Sequence, residues 1–212
     1  MSPKVKEKVR RDPAKTKRAL LYAGISLFAE RGYYGVAVDE IVAQAGCNKR
    51  MLYHYFSSKE GIYVEVLRQV FGELEAYEME STREVVDTAA AIRDILAQYF
   101  DFLQTHPEFV SLLMWENLNQ ARILDAHPDL LTKMPILERL AEILKQGSER
   151  GEIDASIDPR QLLIALIGLC FICFSNQHTL RHSIGLDFSD PSVLKQGMEL
   201  AQEVLINGLF KK

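Results

Sequence analysis

Residues 48–59 read Asn48-Lys49-Arg50-Met51-Leu52-Tyr53-His54-Tyr55-Phe56-Ser57-Ser58-Lys59, which crowds cations, an imidazole and two phenols into one short stretch. These are the donors that meet nucleic acid. Lys49 or Arg50 can donate to guanine O6 and N7, the Met51 side chain can touch a thymine methyl, and His54 offers a further donor at a base edge. Tyr53, Tyr55 and Lys59 suit the phosphate backbone, because hydroxyls, cations and helix N-termini bind phosphate without reading sequence. Leu52 and Phe56 recur at helical spacing and are expected to pack inward. A solvated face on a generic helical hairpin is the competing reading of the same charges.

For these side chains to enter a groove together, they must lie on a helix held by others. Val38, Ile41, Val42 and Ala45 outline a short helix over residues 38–45, Gly46 is a left-handed stop, and Asn48 is an N-cap for a helix through Tyr55. Two helices joined by about three residues with a glycine form the helix-turn-helix arrangement, whose second helix presents its N-terminal residues to the major groove. Upstream, Leu20, Leu21, Ala23, Gly24, Leu27 and Phe28 mark a helix over residues 14–31 that Gly32 ends. Downstream, Ser57 or Ser58 caps a fourth helix that Ile62, Val66, Leu67, Val70 and Leu74 carry to about residue 80.

Charge follows the same division. Residues 1–60 hold 12 Lys+Arg against 6 Asp+Glu, whereas the rest holds 13 against 23, so a basic head sits on an acidic body. Residues 1–12 read as a flexible basic arm, 13–60 as the helix-turn-helix domain, and 61–212 as a ligand-binding and dimerisation domain. Cys47, Cys170 and Cys173 are too few for a disulfide framework, and with no N-terminal apolar signal segment they imply a reduced, cytoplasmic setting. Cys170-x-x-Cys173 lies in an apolar helix and His178 is four residues from His182; both favour packing or solvent over metal, so no metal or cofactor is expected. No nucleophile–base pair, phosphate loop or paired acids stand out, which argues against an enzyme.

In order and spacing, Leu27-Phe28-Ala29-Glu30-Arg31-Gly32-Tyr33, Ile41-Val42-x-x-Ala45-Gly46, Leu52-Tyr53-His54-Tyr55-Phe56 and Ser58-Lys59-Glu60-Gly61 resemble the DNA-binding domain of TetR-type transcriptional regulators. That resemblance covers about residues 15–63. It implies an all-helical homodimer with a three-helix reading head and a helical effector-binding body, in which the residues matching Tyr53 and Lys59 touch phosphate. Two positions depart from the pattern. Ala37 stands where the family usually has Thr, removing a side-chain cap worth about 1 kcal/mol, and Arg50 stands where a small residue is frequent.

The rest of the chain reads as helix over residues 89–105, 107–121, 130–150, 159–181 and 191–210, giving an all-α fold of about nine helices. Pro107, Pro159 and Pro191 fall at or near first-turn positions. An effector pocket wants apolar and aromatic walls with a few polar groups; the candidates are Phe100, Leu103, Met114, Trp115, Asn117, Met134, Leu137, Phe171, Phe174 and Gln177. Trp115-Glu116-Asn117 groups an indole, a carboxylate and an amide in one turn; the plain alternative is a core Trp115 with Glu116 in solvent. Residues 162–174, apolar all round, and the stripe Val193, Leu194, Met198, Ala201, Leu205 and Leu209 suit a four-helix homodimer interface. The expected function is a repressor released from a palindromic double-stranded DNA operator by a small-molecule effector, with no membrane partner; the alternative is a helical protein-interaction module without sequence-specific DNA binding.

Overall fold

The computed structural model describes residues 13–80 and 87–210, so the basic arm expected at residues 1–12 lies outside the described residues. Among the described residues eleven α-helices follow one another: α1 Pro13–Arg31, α2 Val38–Gln44, α3 Lys49–Phe56, α4 Lys59–Glu80, α5 Thr88–Thr105, α6 Pro107–Leu118, α7 Arg122–Ala126, α8 Met134–Glu149, α9 Pro159–Ser175, α10 Gln177–Ile184 and α11 Pro191–Leu209. Among the described residues the only β feature is a single antiparallel bridge between Ile153 and Phe210. The fold is all-α, as expected.

The chain divides into two compact units, one ending at Gln69 and one beginning at Val70, so the division falls inside the α4 range. In the first, α1, α2 and α3 pack on one another. Leu20, Phe28, Ile41, Leu52, Ile62, Tyr63 and Val66 are its fully buried centre. Phe28 meets Tyr63 edge-on with ring centroids 4.9 Å apart. Gly24 lets α1 approach α4 closely, since a Cβ there would lie 3.1 Å from the Val66 Cγ2 atom. In the second unit α5 and α9 are central: α5 packs on α6, α8, α9 and α11, and α9 also meets α6, α8, α10 and α11.

Two long sequence-predicted helices are broken. Residues 107–121 end as a helix at Leu118, because Gln120 and Ala121 take left-handed φ values of 59° and 54°. The Ala121 and Gln120 amides then donate to the carbonyls of Glu116 (2.7 Å) and Asn117 (3.1 Å), a Schellman-type ending without glycine. Residues 159–181 are two helices bent by 76°. Asn176 makes the corner, ending α9 by donating its amide to Ile172 O (3.1 Å) and starting α10 by accepting from Leu180 N (2.9 Å). The helix expected from residue 130 begins instead at Met134, after a 3-10 turn at Pro128–Leu130 and with Pro135 in its first turn. No single described helix is long and apolar enough to cross a membrane.

The start of α2 shows how the chain manages without a threonine cap. Ala37 has no side chain to offer, yet its amide donates to Glu40 Oε2 at 2.7 Å, while Glu40 Oε1 accepts from Arg31 Nη1 at 2.7 Å. The Glu40 amide in turn donates to the Ala37 carbonyl at 3.1 Å. This is the reciprocal half of a capping box, so the weak α2 start expected from Ala37 is held from the third residue of the helix and tied to the end of α1. The Ala37 amide and then Arg31 hold the Glu40 carboxyl below its usual range.

A carboxyl lowered in the folded chain stabilises it above the unfolded pKa, and that stability is lost as pH falls through the lowered value. Glu40→Gln therefore lowers the thermal midpoint at pH 7, and the gap to wild type closes as the pH drops below 4.5. Thermal melts followed by circular dichroism across pH 3–7 measure it; a gap that does not change with pH removes this role for Glu40.

Candidate nucleic-acid interface and effector cleft

Because α3 has only eight residues, its neighbours must hold it. The Gly46 amide donates to Ala43 O (3.2 Å) and the Cys47 amide to Val42 O (3.0 Å), with Gly46 at a φ of 63° that closes α2 and turns the chain. Asn48 then caps α3, its Oδ1 accepting from the Met51 amide at 3.1 Å. Leu52 and Phe56 are buried, which fixes the helix's rotation about its axis. Ser57 takes a left-handed φ of 63°, and the cap of α4 is Ser58, whose Oγ accepts from the Gly61 amide at 2.9 Å.

With that rotation set, Lys49, Arg50, Tyr53 and His54 stand exposed on one face at successive helical turns. Met51 and Tyr55 flank it, half-buried. Lys59, the first residue of α4, is also half-buried, with its ammonium 4.4 Å from the centre of the Tyr33 ring. Partial desolvation lowers its pKa, and the ring face offers the attraction that compensates a cation for lost water. The seven proposed DNA contacts thus divide into four exposed donors and three half-buried supports.

One participant was not visible in the sequence. Asp39, in the first turn of α2, accepts from Lys49 Nζ at 3.1 Å and raises the lysine's pKa. Both side chains are largely exposed, so the pair is weak and exchangeable. In the free chain, then, Lys49 is tethered by a carboxylate that a phosphate or base would have to displace. Ten residues separate the two across a turn, a juxtaposition that helical periodicity does not report.

In the second unit, a cleft of about 410 Å³ gathers four of the proposed effector residues, Leu103, Met114, Phe174 and Gln177, together with Gln104, Ser111, His178, Phe188 and Ser189. Phe100 lines a neighbouring cleft of about 240 Å³ beside Leu194 and Met198. The rings of Phe100 and Phe174 meet edge-on at 6.1 Å. The other candidates line neither: Trp115, Leu137 and Phe171 are half-buried, Met134 is exposed, and Asn117 turns its amide back to Leu113 O at 2.8 Å. Glu116, which the plain alternative placed in solvent, is 1% exposed. Cys170 and Cys173 are buried, with thiols donating to carbonyls of their own helix, and burial pushes the Cys170 thiol up to about 12.

A short, rigidly seated helix with exposed donors, in a three-helix head that precedes a larger helical unit, defines a helix-turn-helix DNA-binding regulator. Residues 20–66 match the model of the bacterial regulatory proteins of the tetR family, and residues 89–205 match the tetracyclin repressor-like C-terminal domain. The chain belongs to the TetR family of DNA-binding transcriptional regulators. It is 27% identical over 196 residues to the HTH-type transcriptional repressor NicS of Pseudomonas putida, covering 92% of each chain. With the HTH-type transcriptional regulator RutR of Escherichia coli it shares 26% identity over 201 residues, covering 91% of this chain and 90% of RutR. The fold matches that of Bacillus subtilis FadR in complex with stearoyl-CoA, with a TM-score of 0.64 and 20% identity over 91% of this chain and 98% of that one. A transcriptional regulator of Streptomyces coelicolor gives a TM-score of 0.68 at 20% identity over 92% and 98%. NicS and RutR are both named as transcriptional regulators, in keeping with a non-enzymatic protein.

Asp39→Asn removes one negative charge beside the exposed face and frees Lys49. The expected result is tighter binding to random duplex at low salt, with the slope of log K against log salt steeper by about one unit. Fluorescence anisotropy across a sodium chloride series reads both; an unchanged slope would show that the Asp39 carboxylate does not restrain Lys49 on nonspecific duplex, where no base edge is selected.

Proposed function

We propose that the protein is a homodimeric repressor that a small-molecule effector releases from a palindromic operator. The observation that carries this is the exposed face of Lys49, Arg50, Tyr53 and His54 on a helix that Asn48, Leu52 and Phe56 hold in one orientation. In this reading Lys49, Arg50, Met51 and His54 meet base edges, while Tyr53, Tyr55 and Lys59 fix the phosphate backbone. Residues 13–60 read DNA, residues 1–12 add a basic arm, and residues 61–212 hold the effector and the partner subunit. The setting is cytoplasmic, where operator and metabolites are both present.

Support for the dimer comes from α9 and α11, which pack together and leave Ile164, Ile172, Leu200 and Val204 exposed at 49–63%. Gly168 and Gly208 open the same helices to close approach, since nothing lies within 4 Å of where their Cβ atoms would be. Exposed apolar residues repeated along two helices that pack together favour an interface there. Two such helices from each subunit make a four-helix contact, and its two-fold axis sets the spacing of operator half-sites.

For the effector we favour the 410 Å³ cleft, whose apolar walls and few amides and hydroxyls suit a small organic molecule. The FadR neighbour holds stearoyl-CoA, an apolar chain on a polar carrier. The route from cleft to reading head is α4, one uninterrupted helix that begins at Lys59 and contributes residues to both units. By linkage, operator must weaken effector affinity by the factor by which effector weakens operator affinity.

Selection of bound sequences from random duplex with the purified protein, followed by a thermal-shift screen of metabolites, tests the reading; an effector that binds equally well with and without operator sinks the release mechanism. Arg50→Ala is expected to cost about 1–3 kcal/mol at one base pair per half-site, whereas Lys59→Ala weakens all sequences alike and reduces the salt slope by about one. Indistinguishable profiles for the two variants would erase the division between readers and supports. Ile164→Glu combined with Val204→Glu is expected to give folded monomer in sedimentation velocity, with operator binding lost; a dimer of unchanged strength would place the interface elsewhere.

A further inference from the structure

Lys49, the first residue of α3, is held by a carboxylate from the preceding helix. Its Nζ atom lies 3.1 Å from each oxygen of Asp39, so the ammonium sits astride the carboxylate. Neither group is used up. An ammonium has three N–H donors and a carboxylate about four acceptor sites, so beside their shared bonds the two still offer a donor and an acceptor to a third party. The fold gains little from the pair, because the side chains are 49% and 73% exposed. Nor does Asp39 cap α2, since Glu40 does that.

A donor beside an acceptor has its counterpart on the major-groove edge of DNA. In a G·C pair guanine O6 accepts next to the cytosine N4 amino group, and in a T·A pair thymine O4 accepts next to the adenine N6 amino group. The two atoms are joined by the pair's own hydrogen bond, so they stand about 2.9 Å apart. That spacing is close to the 3.1 Å between Lys49 Nζ and the Asp39 oxygens. A lone acceptor, phosphate or base, takes the ammonium only by displacing the carboxylate. A keto base paired with an amino base need not, because it bonds both groups and leaves the ion pair whole. The reversed pairs, C·G and A·T, set amino hydrogens against the ammonium and a keto oxygen against the carboxylate. Guanine gains over thymine because N7 is a second acceptor beside O6.

We infer that Asp39 is a specificity-determining residue, which together with Lys49 reads one base pair of each half-site, the lysine on the keto base and the aspartate on the amino base of the opposite strand. This rests on the reading that α3 enters the major groove, and it adds a contact from α2 to the seven proposed for α3 and the start of α4. The order of preference at that base pair is G·C, then T·A, over the two reversed pairs.

The test uses the full-length protein and a duplex selected by wild type from random sequence, with fluorescence anisotropy giving Kd for wild type, Asp39→Ala and Lys49→Ala. Each cytosine of the half-site is replaced in turn by N4-methylcytosine, and each adenine by N6-methyladenine. In the duplex these keep the paired amino hydrogen and put a methyl group in place of the one in the groove. At one such position wild type is expected to lose about tenfold or more in affinity, while Asp39→Ala binds the methylated and plain duplexes equally well. Lys49→Ala should lose the preference for a keto base at the same base pair. Because Asp39→Ala also removes a negative charge, its affinity for random duplex should rise, which a damaged fold would not show. Wild type that is indifferent to every methyl group, or a loss that Asp39→Ala retains in full at every position, overturns the proposal and leaves the repressor reading intact. Failure of wild type to select any sequence overturns both.

Discussion

Eight residues of helix do not persist in water alone, because nucleation is costly and an isolated helix needs roughly 12–15 residues to be even marginal. For α3 the deficit is met by burial of Leu52 and Phe56 against a core that includes Phe28, Ile41 and Tyr63. Burying two such side chains is worth about 3–6 kcal/mol by area, enough to hold the helix and, with it, the direction of every exposed donor. The caps refine that hold: Asn48 fixes where α3 begins, and Gly46 sets the turn that delivers it. The orientation of the exposed face of α3, the face proposed to meet DNA, is thus a by-product of packing, since it is defined by the face that cannot leave the core.

Electrostatics around this head runs in two directions. Arg31, Glu40 and the Ala37 amide knit α1 to α2 and keep the cap working despite the missing hydroxyl. Asp39 beside Lys49, by contrast, works against anion binding. Such a pair weakens nonspecific affinity while leaving a good site reachable, and specificity is a ratio of those two affinities. Lys59 over Tyr33 is a second arrangement in the same head, a cation whose partial loss of water is offset by the face of the ring.

What the sequence made legible was local. Gly46, Asn48 and the inward pair Leu52 and Phe56 act over one or two turns, so their spacing carried α2 and α3 to within a residue or two of their observed bounds. Breaks that use ordinary residues escaped. Gln120 and Ala121 adopt left-handed backbone without glycine, and Asn176 turns the chain inside a stretch that periodicity reads as one helix. Juxtapositions escaped as well: Gln104 and Ser189 share a cleft from distant positions, and Glu78 finds Lys133 across 55 residues. In α9, apolar all round, periodicity could not separate the face on α5 from the one carrying Ile164 and Ile172. Trp115, Glu116 and Asn117 share one turn, but neighbours in sequence on a helix point in different directions, and Trp115 borders neither cleft.

The open face of α9 and α11 makes concentration a structural variable for this chain. A lone subunit leaves isoleucine, leucine and valine in water, and the cost is relieved only when another surface covers them. In the proposed dimer that surface is a second copy, so the covered fraction of chains rises with their concentration.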